Sequence, residues 1–285
     1  MTQAWYNIYH RPKTYEYDPE EPKLVRWGER KHNGHRLTLI KDPDGKISAF
    51  SSKHTNIWSE LPEHIRNLFA TMANGTVLDG ELISPNDQES EVHHLRSIRS
   101  PQLGFCVFAA PYLNGEKYFG LRRLKTEILF KQLQEYGFQT SETLDIRACD
   151  LAVAEKEGFE GYVLKANHYF GWYKYKVQKT CDVVVQTAIT GMEGKFANRW
   201  GTLICAVYRN GELYQIANVS KGKDALWRDL PLGSLAHRVC EIAHSGMQSQ
   251  GKLRFSRFIR WRDDKLPEEC TYEQFSAEHY AKKNR

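Results

Sequence analysis

The sequence predicts an α+β first part followed by a small all-β part, and three observations carry that reading. From about residue 24 to 188, short apolar runs alternate with stretches of helical spacing. After Asp182 the helical pattern stops. Five short strand-like runs then crowd into the remainder of the chain.

In the first part, residues 36–40 and 76–78 are apolar runs bounded by Gly, Pro and Asp, which predicts strands. A helix is expected after Pro62, with Ile65, Leu68, Phe69 and Met72 at helical spacing. A second is expected over residues 121–136, placing Leu124, Ile128, Leu129 and Leu133 on one face, and a weaker third over residues 150–157. In the second part, Val183-Val184-Val185 leads into a strand. Residues 203–208 and 213–216 flank Asn210-Gly211, a hairpin signal because both central turn residues favour positive φ. Two more strands are expected near residues 239–243 and 253–261. Five short strands in such a length fit a small barrel, with an OB-fold the best-matching type. The boundary is expected near residues 182–187, giving domains 1–184 and 185–285.

Composition narrows the function classes. The 285 residues are 41% hydrophobic and 12% aromatic, as ordinary globular cores are. No apolar run is long enough to span a bilayer, and residues 1–6 lack the basic-then-apolar pattern of a signal peptide, so the expectation is a cytoplasmic protein away from membranes. The six cysteines are scattered without CxxC spacing, which predicts reduced thiols and no structural zinc. The net charge is only +5, but basic residues cluster at Lys252–Lys265, at Arg122, Arg123 and Lys125, and at Lys174, Lys176 and Lys179. Such patches suit a polyanion.

Five segments carry candidate chemistry. Lys31 lies in Glu29-Arg30-Lys31-His32-Asn33-Gly34-His35-Arg36 between two expected strands. A lysine amine attacks phosphorus only when deprotonated, so it needs burial, neighbouring cations or a metal to act near neutral pH. Gly34 would allow close backbone approach to a nucleotide, and Arg36 could pair with a phosphate; alone, the segment also fits a plain turn. Asp79-Gly80-Glu81 puts two carboxylates inside an apolar strand, a costly arrangement unless something binds them; a bulge with exposed acids is the bland reading. In Glu160-Gly161-Tyr162-Val163-Leu164-Lys165, alternation groups Glu160 with Tyr162 and Leu164, and Val163 with Lys165. Glu160 is a candidate Mg²⁺ ligand. Lys174 and Lys176 share a strand face, where a phosphate chain would relieve their repulsion, although lysines also guard exposed strand edges. Finally, alternation through residues 257–265 groups Phe258 with Arg260 and Arg262 ahead of Asp264 and Lys265.

In this order, Lys-x-Asn-Gly-x-Arg, Asp-Gly-Glu-Leu, Glu-Gly-Tyr-Val-Leu-Lys, Lys-x-Lys and Arg-x-Asp-Lys resemble the motifs of the covalent nucleotidyltransferases. That superfamily holds DNA ligases, RNA ligases and mRNA-capping enzymes. Phe105–Phe108 with Leu113–Glu116 resembles its aromatic motif, and residues 257–268 are especially similar to ATP-dependent DNA ligases. The resemblance covers about residues 25–268.

It implies a nucleotidyltransferase (adenylation) domain with antiparallel sheets and flanking helices, then an OB-fold barrel. It implies that Lys31 takes AMP from ATP as a phosphoramide, passes it to the 5′-phosphate of nicked duplex DNA, and lets the 3′-hydroxyl displace it. By position, Glu29 would sit beside adenine, Arg36 near the ribose or nick phosphate, and Phe108 on the adenine face. Glu81 would bind the ribose, and Glu81 and Glu160 would support Mg²⁺, with Mn²⁺ as a substitute. Lys174 and Lys176 would contact the α-phosphate. Arg262, Asp264 and Lys265 would orient pyrophosphate when the barrel closes. A monomer is expected. It also implies no N-terminal DNA-binding domain, leaving DNA grip to the basic surfaces.

Three positions depart from the pattern: Asn33 stands where Asp is usual, Lys53 follows Ser52 where Arg would contact a phosphate, and Ala109 follows Phe108 where Asp is common. A sister enzyme, an RNA ligase or capping guanylyltransferase, is the nearest alternative. A non-catalytic nucleic-acid-binding OB protein is the alternative from another class; it would bind DNA after Lys31→Ala and carry no nucleotide.

Overall fold

The computed structural model describes residues 14–17, 24–86, 89–119, 121–166, 171–177, 179–191, 199–222, 226–248 and 250–275. The chain divides into two compact units, Met1–Val177 and Gln178–Arg285. The sequence boundary at 184/185 instead falls inside one continuous strand, Lys179–Thr190. Its apolar triplet Val183-Val184-Val185 is the buried middle of that strand rather than the start of a domain.

The first unit is α+β, built on two sheets. One runs in the order Ile47–Ser51, His35–Lys41, Thr76–Ile83, Gly104–Leu113 and Glu116–Lys117, with Gln139–Thr140 pairing alongside Gly104–Leu113. The other runs Thr14–Glu16, Trp172–Lys176, Gly161–Lys165, Trp27–Arg30 and Thr143–Asp145. Most neighbours are antiparallel, so residues far apart in sequence are brought side by side.

The Glu63–Ala70 helix presents Ile65 and Phe69 to a core that also holds Leu61, Met72, Leu78 and Leu82, as helical spacing anticipates. The Arg123–Glu135 helix differs from expectation. It buries Thr126, Leu129, Phe130 and Leu133, while Leu124 and Ile128 stay largely exposed. The inward stripe is rotated so that Phe130, with its larger apolar area, takes the core position. The third helix forms as Leu151–Glu157. Asp150 caps it, its side chain accepting from the Ala152 N–H at 2.8 Å. A further helix, Glu89–Ser97, was not expected, because its polar sequence carries little apolar periodicity.

The second unit carries a six-stranded sheet in the order Glu212–Val219, Trp200–Arg209, Lys179–Thr190, Val239–His244, Arg257–Trp261 and Lys221–Gly222. The hairpin at Asn210-Gly211 forms with both φ angles positive, 52° and 84°. Val183, Val185, Cys205, Ile216, Trp227 and Phe258 make the core. Alternation through residues 257–262 does not survive: Phe258 is buried and Arg260 exposed. A bulge opposite Glu241 and Ile242 leaves Ile259 as the extra residue and turns the two side chains apart. All six cysteines are buried free thiols. Among the described residues no helix is long and apolar enough to cross a membrane.

Candidate active site

Backbone pairing assembles the site. Glu29 faces Val163 across one ladder, and Lys174 faces Val163 across the next, so three strands place residues 29–31, 160–165 and 172–176 together. Arg36 pairs with Glu81 in the other sheet of the same unit. The resulting pocket is lined by Glu29, Arg30, Lys31, His32, Arg36, Glu81 and Phe108. Ser141, Val163, Lys165, Trp172 and Lys174 complete it.

Lys31 leaves the end of the Trp27–Arg30 strand with its N–H donating to the Gly161 carbonyl at 2.8 Å. Its Nζ donates to Glu160 Oε2 at 2.6 Å, and Lys176 Nζ lies 3.1 Å from Glu160 Oε1. One carboxylate thus bridges two ammonium groups. Burial pushes the Glu160 carboxyl up, but Lys31 and Lys176 together outweigh it and hold it below the usual carboxylate range. Lys174 is pushed down by burial, and then by the like charge of Lys176.

The placement of Glu160 corrects the alternation argument. Tyr162 and Leu164 are buried in the core on one side of the sheet, whereas Glu160 meets Lys31 and Lys176. The strand starts only at Gly161, whose φ of +132° breaks the period. A Cβ there would come within 2.3 Å of the Tyr175 carbonyl oxygen, so the turn that aims Glu160 at the lysines requires glycine.

Gly34 permits a close approach within the protein itself. An added Cβ would lie 1.9 Å from the Leu82 carbonyl and 2.9 Å from the Glu81 side chain. The close approach it permits is to the neighbouring strand.

The acidic pair of the Thr76–Ile83 strand divides its roles. Asp79 is fully buried and takes a bidentate fork from Arg36, at 3.1 and 2.5 Å. The bulge of the bland reading is present at Asp79, but the acid is not exposed. Glu81 lines the pocket. Burial pushes its carboxyl up to about 7, against the opposing pull of Lys31, Arg36 and His32. The Arg36 guanidinium sits 5.4 Å from the Phe108 ring centroid and 5.7 Å from that of Trp172. Phe108 and Trp172 meet edge to face, with centroids 5.7 Å apart.

Lys53 does not join this pocket. It lies exposed in the turn after Ile47–Ser51, where its N–H donates to Ser51 Oγ. A sequence motif fixes the turn but not which sheet face it overhangs. Arg262, Asp264 and Lys265 belong to the second unit. There Arg262 forks onto Asp264 at 2.9 Å twice, and Arg262 and Lys265 both bond Asp182, at 2.9 and 2.7 Å.

Sequence reasoning missed Arg30, His32, Ser141, Val163, Lys165 and Trp172 as lining residues. The available signal was a lysine ending an apolar strand on the face opposite Tyr162 and Leu164. Another concavity in the first unit, lined by Pro85, Glu91, His94 and Gln102, gathers no lysine and lacks this chemistry.

No protein-family model matches the chain. It is similar to a DNA ligase of Sulfophobococcus zilligii, 25% identical over 92% of this chain and 56% of the relative. It is likewise similar to DNA ligase 2 of Methanosarcina acetivorans, 26% identical over 86% of this chain and 53% of the relative. The chain therefore spans about half the length of the curated relatives it matches. Among solved structures, one from a structure–function study of DNA binding by Lig E DNA ligases on a minimal scaffold matches with a TM-score of 0.67. That match is 18% identical and covers 89% of this chain and 99% of the other. The ligase domain of M. tuberculosis LigD matches with a TM-score of 0.52 at 20% identity, covering 93% and 99%. These structural likenesses show a shared fold.

Proposed function

We propose that the chain is a covalent nucleotidyltransferase with Lys31 as its nucleophile. More particularly, we read it as an ATP-dependent DNA ligase that seals 3′-hydroxyl/5′-phosphate nicks in duplex DNA. The observation that carries the reading is the convergence of motifs scattered from residue 29 to residue 174 on one pocket, with Glu160 and Lys176 joined to its Lys31 by ion pairs. Its aromatic wall suits a base, and its lysines suit phosphates. Similarity to curated DNA ligases over most of the chain supports the polynucleotide.

Lys31 Nζ forms a bond to the α-phosphorus as the bond to pyrophosphate breaks. Glu160, hydrogen-bonded to that nitrogen, orients the amine for attack, and the proton the amine sheds passes to solvent. AMP then moves to the 5′-phosphate of the nick, and the 3′-hydroxyl displaces it. Lys174 and Lys176 offset charge gathering on the phosphate oxygens. The pyrophosphate-orienting role of Arg262, Asp264 and Lys265, and the reading of the second unit as an OB-type barrel, belong to the same proposal.

Among the described residues no group of three or more His, Cys, Asp or Glu forms a metal cage. Two separate carboxylates, Glu160 and Glu81, still fit magnesium arriving with a triphosphate, because that ion commonly takes one or two carboxylates besides phosphate oxygens. Such an ion would neutralise phosphate charge.

The test is mass spectrometry after incubation with ATP and Mg²⁺. An AMP-sized increment on the Lys31 peptide is expected, and none in Lys31→Ala. An adduct formed only from GTP would defeat the ligase reading in favour of a capping enzyme. Sealing of nicked RNA but not nicked DNA would assign an RNA ligase.

A further inference from the structure

Asp182 lies near the start of the second unit, in the Lys179–Thr190 strand, opposite Glu241 of the neighbouring strand. On its other side, pairing with Trp200–Arg209 starts only at Val184, and a side-chain amide takes the place of a strand. Gln274 Oε1 accepts from the Asp182 N–H at 3.3 Å, and Gln274 Nε2 donates to the Asp182 carbonyl at 3.1 Å. The main chain of Asp182 is thereby fixed.

Its side chain joins two cations. Oδ1 and Oδ2 accept from Arg262 Nη1 at 2.9 and 3.1 Å, and Oδ2 accepts from Lys265 Nζ at 2.7 Å. Asp264 takes the other edge of the guanidinium, with Nε and Nη2 both at 2.9 Å. A guanidinium has five N–H bonds and an ammonium three, so both cations keep N–H bonds for a further acceptor. The side chains of Asp182, Arg262 and Lys265 are 14, 21 and 25% exposed, covered enough to be held and open enough for an anion to reach. Lys265 is raised above the ordinary lysine range chiefly by its hydrogen bond to Asp182, against burial and the like charge of Arg262. Without the carboxylate these two long, repelling side chains would swing apart towards water.

We propose that Asp182 is a positioning residue for pyrophosphate departure, bridging Arg262 and Lys265 so that they meet the leaving group as one preset pair of donors. The inference rests on the nucleotidyltransferase reading, and on the roles given there to Arg262 and Lys265, and adds a residue to them. As the bond from the α-phosphorus breaks, its electron pair stays with pyrophosphate, and donors already in place stabilise that charge most when it is largest. A carboxylate beside an anion site also has the opposite effect, competing with phosphate for the same cations. That repulsion is screened, because Asp182 is partly exposed and already paired with two cations. Positioning is therefore the larger effect, and the two differ in sign.

The test measures single-turnover adenylation of Lys31 over a range of ATP concentrations, and sealing of a nick that already carries AMP. Wild type, Asp182→Asn and Asp182→Glu are compared. Asp182→Asn keeps the shape and removes the charge. It is expected to slow adenylation at saturating ATP by about tenfold or more, the scale of one charge-assisted contact. The half-saturating ATP concentration and the sealing rate should each stay within about threefold of wild type, since the loss falls on the transition state of one step. Asp182→Glu should recover part of the rate. Faster adenylation would overturn the proposal in favour of competition; an unchanged rate, or equal slowing of both reactions, would overturn it as well. If Asp182→Asn does not fold, Gln274→Met, at an exposed position and leaving every charge in place, should slow adenylation by about threefold and spare sealing. An unchanged rate there counts equally against it. Absence of any adduct in the wild type would sink the nucleotidyltransferase reading, and calorimetric titration with pyrophosphate alone would still judge Asp182. Weaker binding by Asp182→Asn than by the wild type supports the bridge, and equal or tighter binding overturns it.

Discussion

Glu81 shows how one side chain's surroundings become a property of the whole protein. Its carboxyl is pushed up to about 7 by burial, only partly offset by Lys31, Arg36 and His32. A group whose folded pKa exceeds its unfolded value binds its proton more tightly when folded. It costs nothing below about pH 4.5, and the folded state then loses stability as pH rises through about 7. The shift corresponds to at most roughly 3 kcal/mol. In metal-free buffer, Glu81→Gln is expected to leave urea stability nearly unchanged at pH 5 and to raise it at pH 8. Equal effects at both values would show that Glu81 is not the titrating group.

The same scale explains which site residues the sequence revealed. Lys31, Glu160, Lys174 and Lys176 stand in motifs whose order is informative, and the structure gathers Lys31 and Lys176 on the Glu160 carboxylate, with Lys174 on the same strand as Lys176. Lys165 also stands in a motif, but a lysine at a strand end reads as a solvent-facing charge. Its hydrogen-bond partner Glu29 is 136 residues away, so only the fold reveals the pair.

Elements were legible where their own side chains decide the structure. The Glu63–Ala70 helix and the Asn210-Gly211 hairpin follow from local spacing and turn chemistry. The misjudged features are those set by neighbours: which face of Arg123–Glu135 is covered, and where a bulge reverses Phe258 and Arg260. Gly161 belongs with these. It starts a strand with φ +132°, opposite Lys176, and thereby turns Glu160 out of the core. An alanine would meet the Tyr175 carbonyl at 2.3 Å and the Lys176 Cα at 2.7 Å, both backbone atoms that cannot rotate away. Gly161→Ala is expected to cost about 2–4 kcal/mol in chemical denaturation. It should also weaken Lys31 modification more than that loss explains when assayed well below the unfolding midpoint. Full stability with full modification would mean that the strand start adapts without moving Glu160.

At the scale of the whole molecule, the chain is two units with separate cores, and the ligase reading divides three chemical steps between them. Arg262 and Lys265 share Asp182 within the second unit, which permits a test of that division with little structural cost. Removing Lys265 leaves Asp182 still held by two hydrogen bonds from Arg262, at 2.9 and 3.1 Å. No buried charge is stranded, so Lys265→Ala should keep nearly the wild-type melting temperature. If Lys265 serves the pyrophosphate leaving group, its loss should slow Lys31 adenylation by about tenfold or more, the scale of one charge-assisted contact. Sealing of a nick that already carries AMP on its 5′-phosphate releases no pyrophosphate, and should stay within a few-fold of wild type. Single-turnover assays of the two reactions separate them. Equal slowing of both would place Lys265 on the DNA, and slowing of sealing alone would remove the second unit from the adenylation step.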